Sequence, residues 1–387
     1  MTAPPRAAAV NRHIPALDGV RALAILLVIP HNLDTLTLPY SKLVFPLALL
    51  MHAGWIGVQL FFVLSGFLIT GNLLEARGAD NYFSAFFGRR TLRILPLYYT
   101  VLLATFVIAP LLGNVPAQLH ATESNQIWLW TFLTNWTEPY NGGVFGFGHF
   151  WSLAVEEQFY LLWPLIVLRC APKRLLWVSL AAVAIAILAR CILLAAHSSA
   201  DALYMFTICR MDALALGAAV ACLIRMPAAY ERLRKLGPRI AIAAVVTFVA
   251  TVVVTRGLGM HEFGAQTIGY SLLALAFALL VLLTTVPVTG VLRSLINVLS
   301  STPLRLVGRY SYGMYVLHLP LHVFFTGPLF ERLIPHPTAM QSFAYAGIMT
   351  VVSFLIAALS YELFEKQFLK LKTRFTPTWR AYTPGPA

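Results

Sequence analysis

The sequence has few charged residues and few cysteines. Of its 387 residues only 11% are charged, 59% are hydrophobic and four are cysteine. Mean hydropathy is +0.76, whereas about a quarter of the residues in a typical soluble domain are charged. A soluble domain is therefore excluded, and the composition predicts an all-α, polytopic membrane protein. The cysteines have no zinc-ligand spacing and are predicted to be packing residues; they are Cys170, Cys191, Cys209 and Cys222.

Several familiar signatures are also missing. The chain contains no haem or zinc motif, no GxSxG elbow, no glycine-rich phosphate loop and no convincing internal repeat. We therefore expect no bound metal and no bound cofactor. A cleavable signal peptide is not expected either, because Asp18 and Arg21 interrupt the first apolar run.

The net charge of +13 is distributed unevenly along the chain. No Lys or Arg occurs between Arg93 and Arg169, and only Lys42, Arg256 and Arg332 fall in predicted outer loops. Such an asymmetry predicts that both termini are cytoplasmic. The basic charge then reflects topology and contact with anionic lipid headgroups rather than nucleic-acid binding.

Apolar segments of suitable length predict about ten transmembrane helices. Residues 1–13 are predicted to be a cytoplasmic N-terminal tail, 14–365 the membrane domain and 366–387 a basic cytoplasmic tail. An apolar stretch at 127–136 is too short to span and is predicted to be one interfacial or re-entrant helix. The predicted spans are residues 17–38, 53–74, 94–112, 150–168, 175–196, 208–224, 240–255, 267–286, 312–329 and 340–363.

The first predicted span carries Arg21 near one end and His31 in its second half. A titratable side chain at membrane depth costs about 2.5–3.5 kcal/mol or more, and usually faces a bundle interior or a wet cavity. Imidazole can accept and return a proton near neutral pH, whereas guanidinium cannot. The pair therefore predicts a buried base on the same helix as a fixed cation. The alternative is a snorkelling arginine with a helix-packing histidine.

A second polar cluster lies at residues 148–164. His149, Ser152 and Glu156 are spaced by three and four residues, so they share one helix face. Polar groups at the mouth of a span are costly unless they line a polar cavity. The cluster is therefore predicted to form the acceptor side of such a cavity or to adjust the pKa of a histidine. The alternative is an interfacial cap, in which Ser152 and Glu156 favour the helix N-terminus.

Two further clusters combine arginine with possible partners. Arg90 and Arg93 are one helical turn apart, a spacing that lets both bind one phosphate or carboxylate. The alternative is that both arginines are ordinary flanking charges of the positive-inside distribution, which explains their position equally well. Arg210 and Asp212 are expected to pair with each other or with Glu156, either as a structural ion pair or as substrate contacts.

The last cluster lies at residues 308–322. Tyr312, Tyr315 and His318 share one broad helix face, and His318 is expected to be buried. The tyrosines are also compatible with a lipid-interface position. Together the clusters supply His, Arg, Glu, Ser and Tyr to a membrane cavity, which suits general-base acyl transfer to a hydroxyl.

The ordered motifs of the chain resemble the acyltransferase-3 family of membrane O-acyltransferases over residues 14–365. They are IPALDGVRALAILLVIPHN, GVQLFFVLSGFLIT, RRTLRILP, HFWSLAVEEQFYLLWP, RMDALALG and GRYSYGMYVLHLPL. The resemblance implies an acyl-CoA donor used from the cytoplasm and an acceptor hydroxyl on a sugar or glycosylated molecule. It implies that Arg21 and His31 are essential, that Arg90 and Arg93 form the family's RxxR pair, and that Ser152 and Glu156 form its SxxxE element.

The chain departs from the family pattern in its first helix. The family usually places the histidine eleven residues after the arginine, whereas His31 follows Arg21 by ten. At about 100° per residue, an offset of ten falls about 80° short of the face reached by eleven. Pro30 is expected to kink or unwind the helix and restore the alignment. Some relatives carry an additional hydrolase-like domain; this chain is expected to work through its membrane domain or with a separate partner.

The sequence therefore predicts an O-acyltransferase of a bacterial-type inner membrane. It is expected to move an acyl group, with acetyl as the expected group, from acyl-CoA to a hydroxyl of a sugar or glycosylated acceptor. The predicted catalytic residues are His31, Arg21 and Glu156. The predicted substrate-binding residues are Arg90, Arg93, Ser152, His149, Arg210, Asp212, Tyr315 and His318. The alternative function is a transporter or flippase for an anionic solute or a lipid-linked sugar, although such folds commonly show two related halves.

Overall fold

The computed structural model describes residues 13–33, 45–113 and 116–379. Residues 34–38 of the first predicted span, Lys42 and most of the predicted N-terminal tail lie outside these ranges. Every regular element in the described residues is helical, which confirms the predicted all-α class.

The described chain forms twenty α-helices, several of which continue through short 3₁₀ or π turns. The first ten are α1 Pro15–Asn32, α2 Phe45–His52, α3 Ile56–Glu75, α4 Tyr82–Leu103, α5 Ala109–Leu111, α6 Ala117–Thr122, α7 Gln126–Trp130, α8 Thr134–Asn141, α9 Trp151–Arg169 and α10 Pro172–Ala195. The others are α11 Ala200–Met205, α12 Thr207–Leu223, α13 Pro227–Leu233, α14 Gly237–Val254, α15 Tyr270–Leu283, α16 Gly290–Leu299, α17 Thr302–Leu321, α18 Gly327–Leu333, α19 Ala339–Ser360 and α20 Lys366–Lys370.

Seven helical segments of the described chain are long and apolar enough to cross a membrane. They overlap seven of the ten predicted spans, with several boundaries shifted, and the count of ten and the cytoplasmic termini stay predictions. The segments are Ala53–Glu75, Tyr82–Leu111, Pro172–Ala195, Ala200–Leu223, Gly237–Val254, Ala265–Leu283 and Ala339–Phe375.

The bundle is organised around α3 and α12, which are its most deeply buried long apolar helices. Gly66 of α3 lies against the carbonyl of Leu214, and Gly217 of α12 lies against the carbonyl of Val63. A methyl group at Gly66 would stand only 1.9 Å from the Leu214 oxygen. Small residues on both helices therefore allow a close backbone approach, as is typical of helices packed within a membrane.

A second close crossing joins α1 to α17. Gly308 packs against the backbone of Asp18, where an added methyl group would lie 1.9 Å from the Asp18 oxygen. This contact fixes the beginning of α1 beside α17. It therefore brings Arg21, one turn further along α1, towards the tyrosines of α17.

The predicted single helix at residues 127–136 is wrong in detail. The chain instead forms the short helices α7 and α8, separated at Phe132, whose φ of 54° is left-handed. The Phe132 ring stacks on Tyr98 of α4 with 4.4 Å between ring centroids. This packing stabilises a break that the apolar pattern does not reveal.

Candidate active site

A small cavity lies between α1, α3, α4, α9 and α17, and we call it the central cavity. Its volume is about 100 Å³. Six of the eleven predicted site residues line it: Arg21, Arg90, Arg93, Ser152, Glu156 and Tyr315. The remaining lining residues are Val58, Phe61, Phe62, Leu64, Ser65, Leu68, Ile94, Leu153, Tyr160, Ser311 and Tyr312. Five helices distant in sequence thus place their polar residues around one space.

Three arginines form the basic end of the central cavity. The Arg21 guanidinium lies 3.8 Å from the Asp18 carboxylate, and Arg90 lies 4.3 Å from the centre of the Tyr160 ring. Within the described chain, Arg90 and Arg93 have no carboxylate at ion-pair distance. Cations in a bundle interior are costly without compensating charge. This end of the cavity is therefore electrostatically suited to an anionic ligand.

Glu156 belongs to a hydrogen-bonded group that adjoins the basic end through Tyr160, whose ring contacts Arg90. Its Oε2 accepts a hydrogen bond of 2.9 Å from the Tyr160 hydroxyl, which also bonds the Ser65 hydroxyl. Tyr160 and Ser65 were not predicted as site residues. Tyr160 could have been found, because it follows Glu156 by four residues and so shares its helix face.

Ser152 and Tyr315 are joined across the cavity wall. Their hydroxyls are 2.5 Å apart, and the Tyr315 hydroxyl donates a 2.8 Å hydrogen bond to the His149 carbonyl. The Ser152 hydroxyl also donates to that carbonyl, at 3.2 Å. Ser152 thus contacts a phenol and a carbonyl rather than an imidazole base, which is not the arrangement of an activated serine nucleophile.

His31 lies at the far end of α1, away from the central cavity. Ten residues at 1.5 Å each place it about 15 Å along the helix from Arg21. Its Nδ1 lies 3.1 Å from the Met51 carbonyl oxygen. Since a carbonyl can only accept, Nδ1 carries the proton in the neutral ring and Nε2 carries the lone pair, which is the state that a base requires.

Helix α1 remains helical through Pro30 to Asn32. Asn32 therefore occupies the offset of eleven from Arg21, and its Nδ2 donates a 2.9 Å hydrogen bond to Nε2 of His318. His318 in turn donates from Nδ1 to the Tyr315 carbonyl at 2.7 Å. His318 is fully buried, as predicted. It links α17 to the end of α1, next to His31.

His149 is buried beside His318, with 4.8 Å between the two ring centroids. Neither ring nitrogen of His149 has a hydrogen-bond partner in the described part of the chain. The His149 ring thus belongs to the polar cluster that connects Tyr315 to the end of α1. Its role as a substrate contact stays a prediction.

Arg210 and Asp212 lie outside the central cavity and are fully buried. The predicted pairing of Arg210 with Asp212 or with Glu156 is wrong: within the described residues Asp212 pairs with Arg190, at 2.9 Å. Arg210 instead bonds Gln59 and lies among four aromatic rings, the nearest at 4.7 Å. The network is therefore structural in its contacts, and substrate binding by Arg210 and Asp212 stays a prediction.

The family model of the acyltransferase-3 type, described as an acyltransferase domain, matches residues 14–362. The chain belongs to the acyltransferase-3 family. This confirms the resemblance inferred from the ordered motifs.

Similar acyltransferase-3 proteins include two that are named for a cell-wall reaction. The putative peptidoglycan O-acetyltransferase YrhL of Bacillus subtilis is 30% identical over 374 residues, which are 92% of this chain and 55% of the relative. The peptidoglycan O-acetyltransferase OatA of Listeria monocytogenes is 26% identical over 380 residues, 93% of this chain and 56% of the relative. The chain thus spans about half the length of these relatives. No solved structure matches the chain.

Proposed function

We propose that the protein is a membrane O-acetyltransferase that moves an acetyl group from acetyl-CoA to a hydroxyl of a cell-surface carbohydrate in a bacterial inner membrane. The observation that carries the proposal is the convergence of Arg21, Arg90 and Arg93 on one small cavity that also contains Glu156. The names of the relatives favour a peptidoglycan-type acceptor.

The donor assignment rests on charge and on size. Three guanidinium groups outnumber the nearby carboxylates of Asp18 and Glu156 and so favour an anionic donor, and Arg90 and Arg93 are one turn apart, as suits a phosphate. A space of about 100 Å³ accommodates a short acyl group rather than a long chain. Both features fit an acetyl thioester on a phosphate-bearing carrier.

In the proposed reaction, the acceptor oxygen attacks the thioester carbonyl carbon. A C–O ester bond forms, the C–S bond breaks, and the thiolate of CoA leaves and is protonated to the free thiol. His31 takes the proton of the acceptor hydroxyl at Nε2, either directly or through a relay from the central cavity, and the Met51 carbonyl holds the required tautomer. Arg21 orients the donor or offsets the charge that develops on the thioester oxygen.

Glu156 and Ser152 have a different part in this proposal. Glu156, held by Tyr160, orients groups at the acceptor side of the cavity, and Ser152 supports Tyr315. Direct transfer is favoured over an acyl-serine intermediate because the described chain places no imidazole nitrogen within hydrogen-bond reach of the Ser152 hydroxyl.

The test is release of free CoA thiol from acetyl-CoA by protein in nanodiscs, with peptidoglycan fragments as acceptor. Wild type, Arg93→Gln and Arg89→Gln are compared. Arg89 is the matched control, because it lies in the same helix but bonds the Ala85 carbonyl at 3.0 Å and does not line the central cavity. Loss of a charged hydrogen bond predicts a rise in KM of about tenfold or more for Arg93→Gln alone.

Equal kinetics in Arg93→Gln and Arg89→Gln would contradict the donor site. If wild type neither released thiol nor bound acetyl-CoA, the acetyltransferase proposal itself would fail. In that case, transport of an anionic solute past the same arginines would become the leading explanation.

A further inference from the structure

A second, larger cavity adjoins the central cavity at its basic end. Its volume is about 450 Å³. We call it the vestibule, and its defining residues are Arg21, Arg93, Arg305, Arg309 and Tyr312. The vestibule lies between the beginnings of α1 and α17 and the segment that joins α19 to α20.

The two cavities meet at a shared wall. Arg21, Arg93 and Tyr312 line both of them. A ligand whose reactive end enters the central cavity past these three residues therefore keeps its remaining part in the vestibule. The difference between about 100 Å³ and about 450 Å³ suits a donor with a small acyl group and a bulky carrier.

The vestibule has an excess of positive charge. Four arginines line it, against the carboxylates of Asp18 and Glu365. Asp18 is already shared between His13, at 2.7 Å, and Arg21. Arg305 has no carboxylate at ion-pair distance within the described residues. An anion in this space would therefore meet uncompensated guanidinium groups.

The arginines are graded by depth. Arg305 and Arg309 are exposed, whereas Arg93 and Arg21 are half-buried. Like charges arranged from a surface towards a low-dielectric interior raise the local concentration of an oppositely charged ligand and guide its entry. The vestibule is thus an entry route to the central cavity and not only a patch of flanking charge.

Arg305 and Arg309 have the geometry of a phosphate site. They are four residues apart on α17, so their side chains project from the same helix face. The Arg309 guanidinium stacks on the Tyr361 ring at 4.8 Å and contacts Glu362 at 3.5 Å, which restricts its orientation. Planar guanidinium groups can bind phosphate oxygens in bidentate fashion. The vestibule also includes Thr302, the first residue of α17, whose helix N-terminus favours an anion.

We propose that the vestibule binds the nucleotide phosphates of the acyl donor, and that Arg305 and Arg309 are the residues that contact them. This inference rests on the proposed acetyl-CoA donor. The acetylated thiol end passes Arg21 into the central cavity, one phosphate meets Arg93 at the shared wall, and the remaining phosphates lie on α17.

The experiment compares two donors that share the thioester but differ in their phosphates: acetyl-CoA and S-acetylpantetheine. Acetyl transfer is followed for wild type, Arg305→Gln, Arg309→Gln and Arg309→Lys in nanodiscs. Arg239→Gln is the control, because Arg239 is an exposed arginine at the beginning of α14 and does not line the vestibule. We expect each glutamine variant to raise the KM for acetyl-CoA about three- to tenfold, with partial rescue by lysine at residue 309.

The KM for S-acetylpantetheine should be unchanged in the same variants, because that donor has no phosphate to lose. An equal rise for both donors, or no rise for either, would overturn the assignment of Arg305 and Arg309 and leave the acetyl-CoA proposal intact. Failure of wild type to use either donor would instead overturn the donor assignment and this site with it.

Anionic lipid headgroups offer the same phosphate chemistry. The kinetics are therefore measured in nanodiscs of phosphatidylcholine alone and in nanodiscs that also contain phosphatidylglycerol. The proposal expects the KM effect of Arg305→Gln in both membranes. An effect confined to phosphatidylglycerol would overturn it in favour of a lipid site.

Discussion

Replacement of His31 by glutamine tests the proposed base with little disturbance of the fold. The glutamine amide can still donate to the Met51 carbonyl, so the contact that fixes the end of α1 is retained. What is lost is the lone pair that accepts the proton of the acceptor. General-base catalysis contributes about 10²- to 10⁴-fold, so kcat should fall by that factor, or about 3–5 kcal/mol in the barrier. The KM for acetyl-CoA should not change, because His31 does not line the central cavity.

Two buried histidines, His149 and His318, provide controls in the same cluster. His318→Gln removes a ring that bonds Asn32 and the Tyr315 carbonyl. Hydrogen bonds between membrane helices contribute about 0.6 kcal/mol each on average and at most about 1.7. We therefore expect about 1–3 kcal/mol of lost stability and a fall in kcat of less than about tenfold. His149→Gln removes no side-chain hydrogen bond within the described residues, so it should have a smaller effect on stability.

The assay measures formation of O-acetylated product in nanodiscs under saturating acetyl-CoA, together with the thermal unfolding midpoint of each variant. The reasoning would be refuted if His31→Gln kept at least a third of wild-type kcat. A loss of kcat of about 10²-fold or more in His149→Gln, with His31→Gln near wild type, would identify His149 rather than His31 as the general base.

Three further outcomes follow from the structure. Gly66→Ala should lower the free energy of unfolding by about 3 kcal/mol or more, because its methyl group would overlap the Leu214 carbonyl; Gly347→Ala, with open space around its Cβ, should be nearly neutral in the same thermal unfolding measurement. Burial raises the pKa of Glu138 from 4.5 to about 8, so the folded state binds more protons than the unfolded state between these values. The free energy of unfolding should therefore fall as pH rises through this window, by at most about 1.4 kcal/mol per pH unit. Glu138→Gln should reduce the pH dependence of the unfolding midpoint. An unchanged pH dependence in that variant would contradict the raised pKa of Glu138. Tyr315→Phe should cost about 1–3 kcal/mol in unfolding free energy, because a buried carbonyl loses a donor and the α9 serine hydroxyl loses a hydrogen-bond partner. An unchanged midpoint would show that these groups find other partners.

Much of the central cavity could be predicted because its residues are spaced within single helices. Ser152 and Glu156 share a face of α9, and Arg90 and Arg93 share a face of α4, and each pair lines the cavity. Helical periodicity is a local property, so it is visible without the fold. The polar character of the cavity also follows from the high cost of such residues in lipid.

Partners between helices could not be predicted in the same way. The sequence places Arg210 two residues from Asp212, yet Asp212 pairs with Arg190 of another helix. Residues two apart on a helix point in different directions, and the choice of partner depends on how α10 packs against α12. The vestibule was missed for a related reason, since Arg305 and Arg309 resemble ordinary flanking charge until α1 and α19 are placed around them.

The three predicted spans that do not meet the criterion of length and apolarity in the described residues are those of α1, α9 and α17. These are also the helices that carry Arg21, Glu156 and Tyr315 into the central cavity. A polar side chain is costly in lipid but not at the wall of a wet cavity. Helices that other helices shield from lipid can therefore carry more polar residues. Polar residues within a predicted span are therefore themselves an indication of the site. The sequence alone could not predict the contacts at the position where the family places its histidine, because Asn32 occupies that position here and His31 precedes it. Each residue turns a helix by about 100°, so the two side chains point in different directions. Only the structure identifies that His31 contacts Met51 and that Asn32 contacts His318.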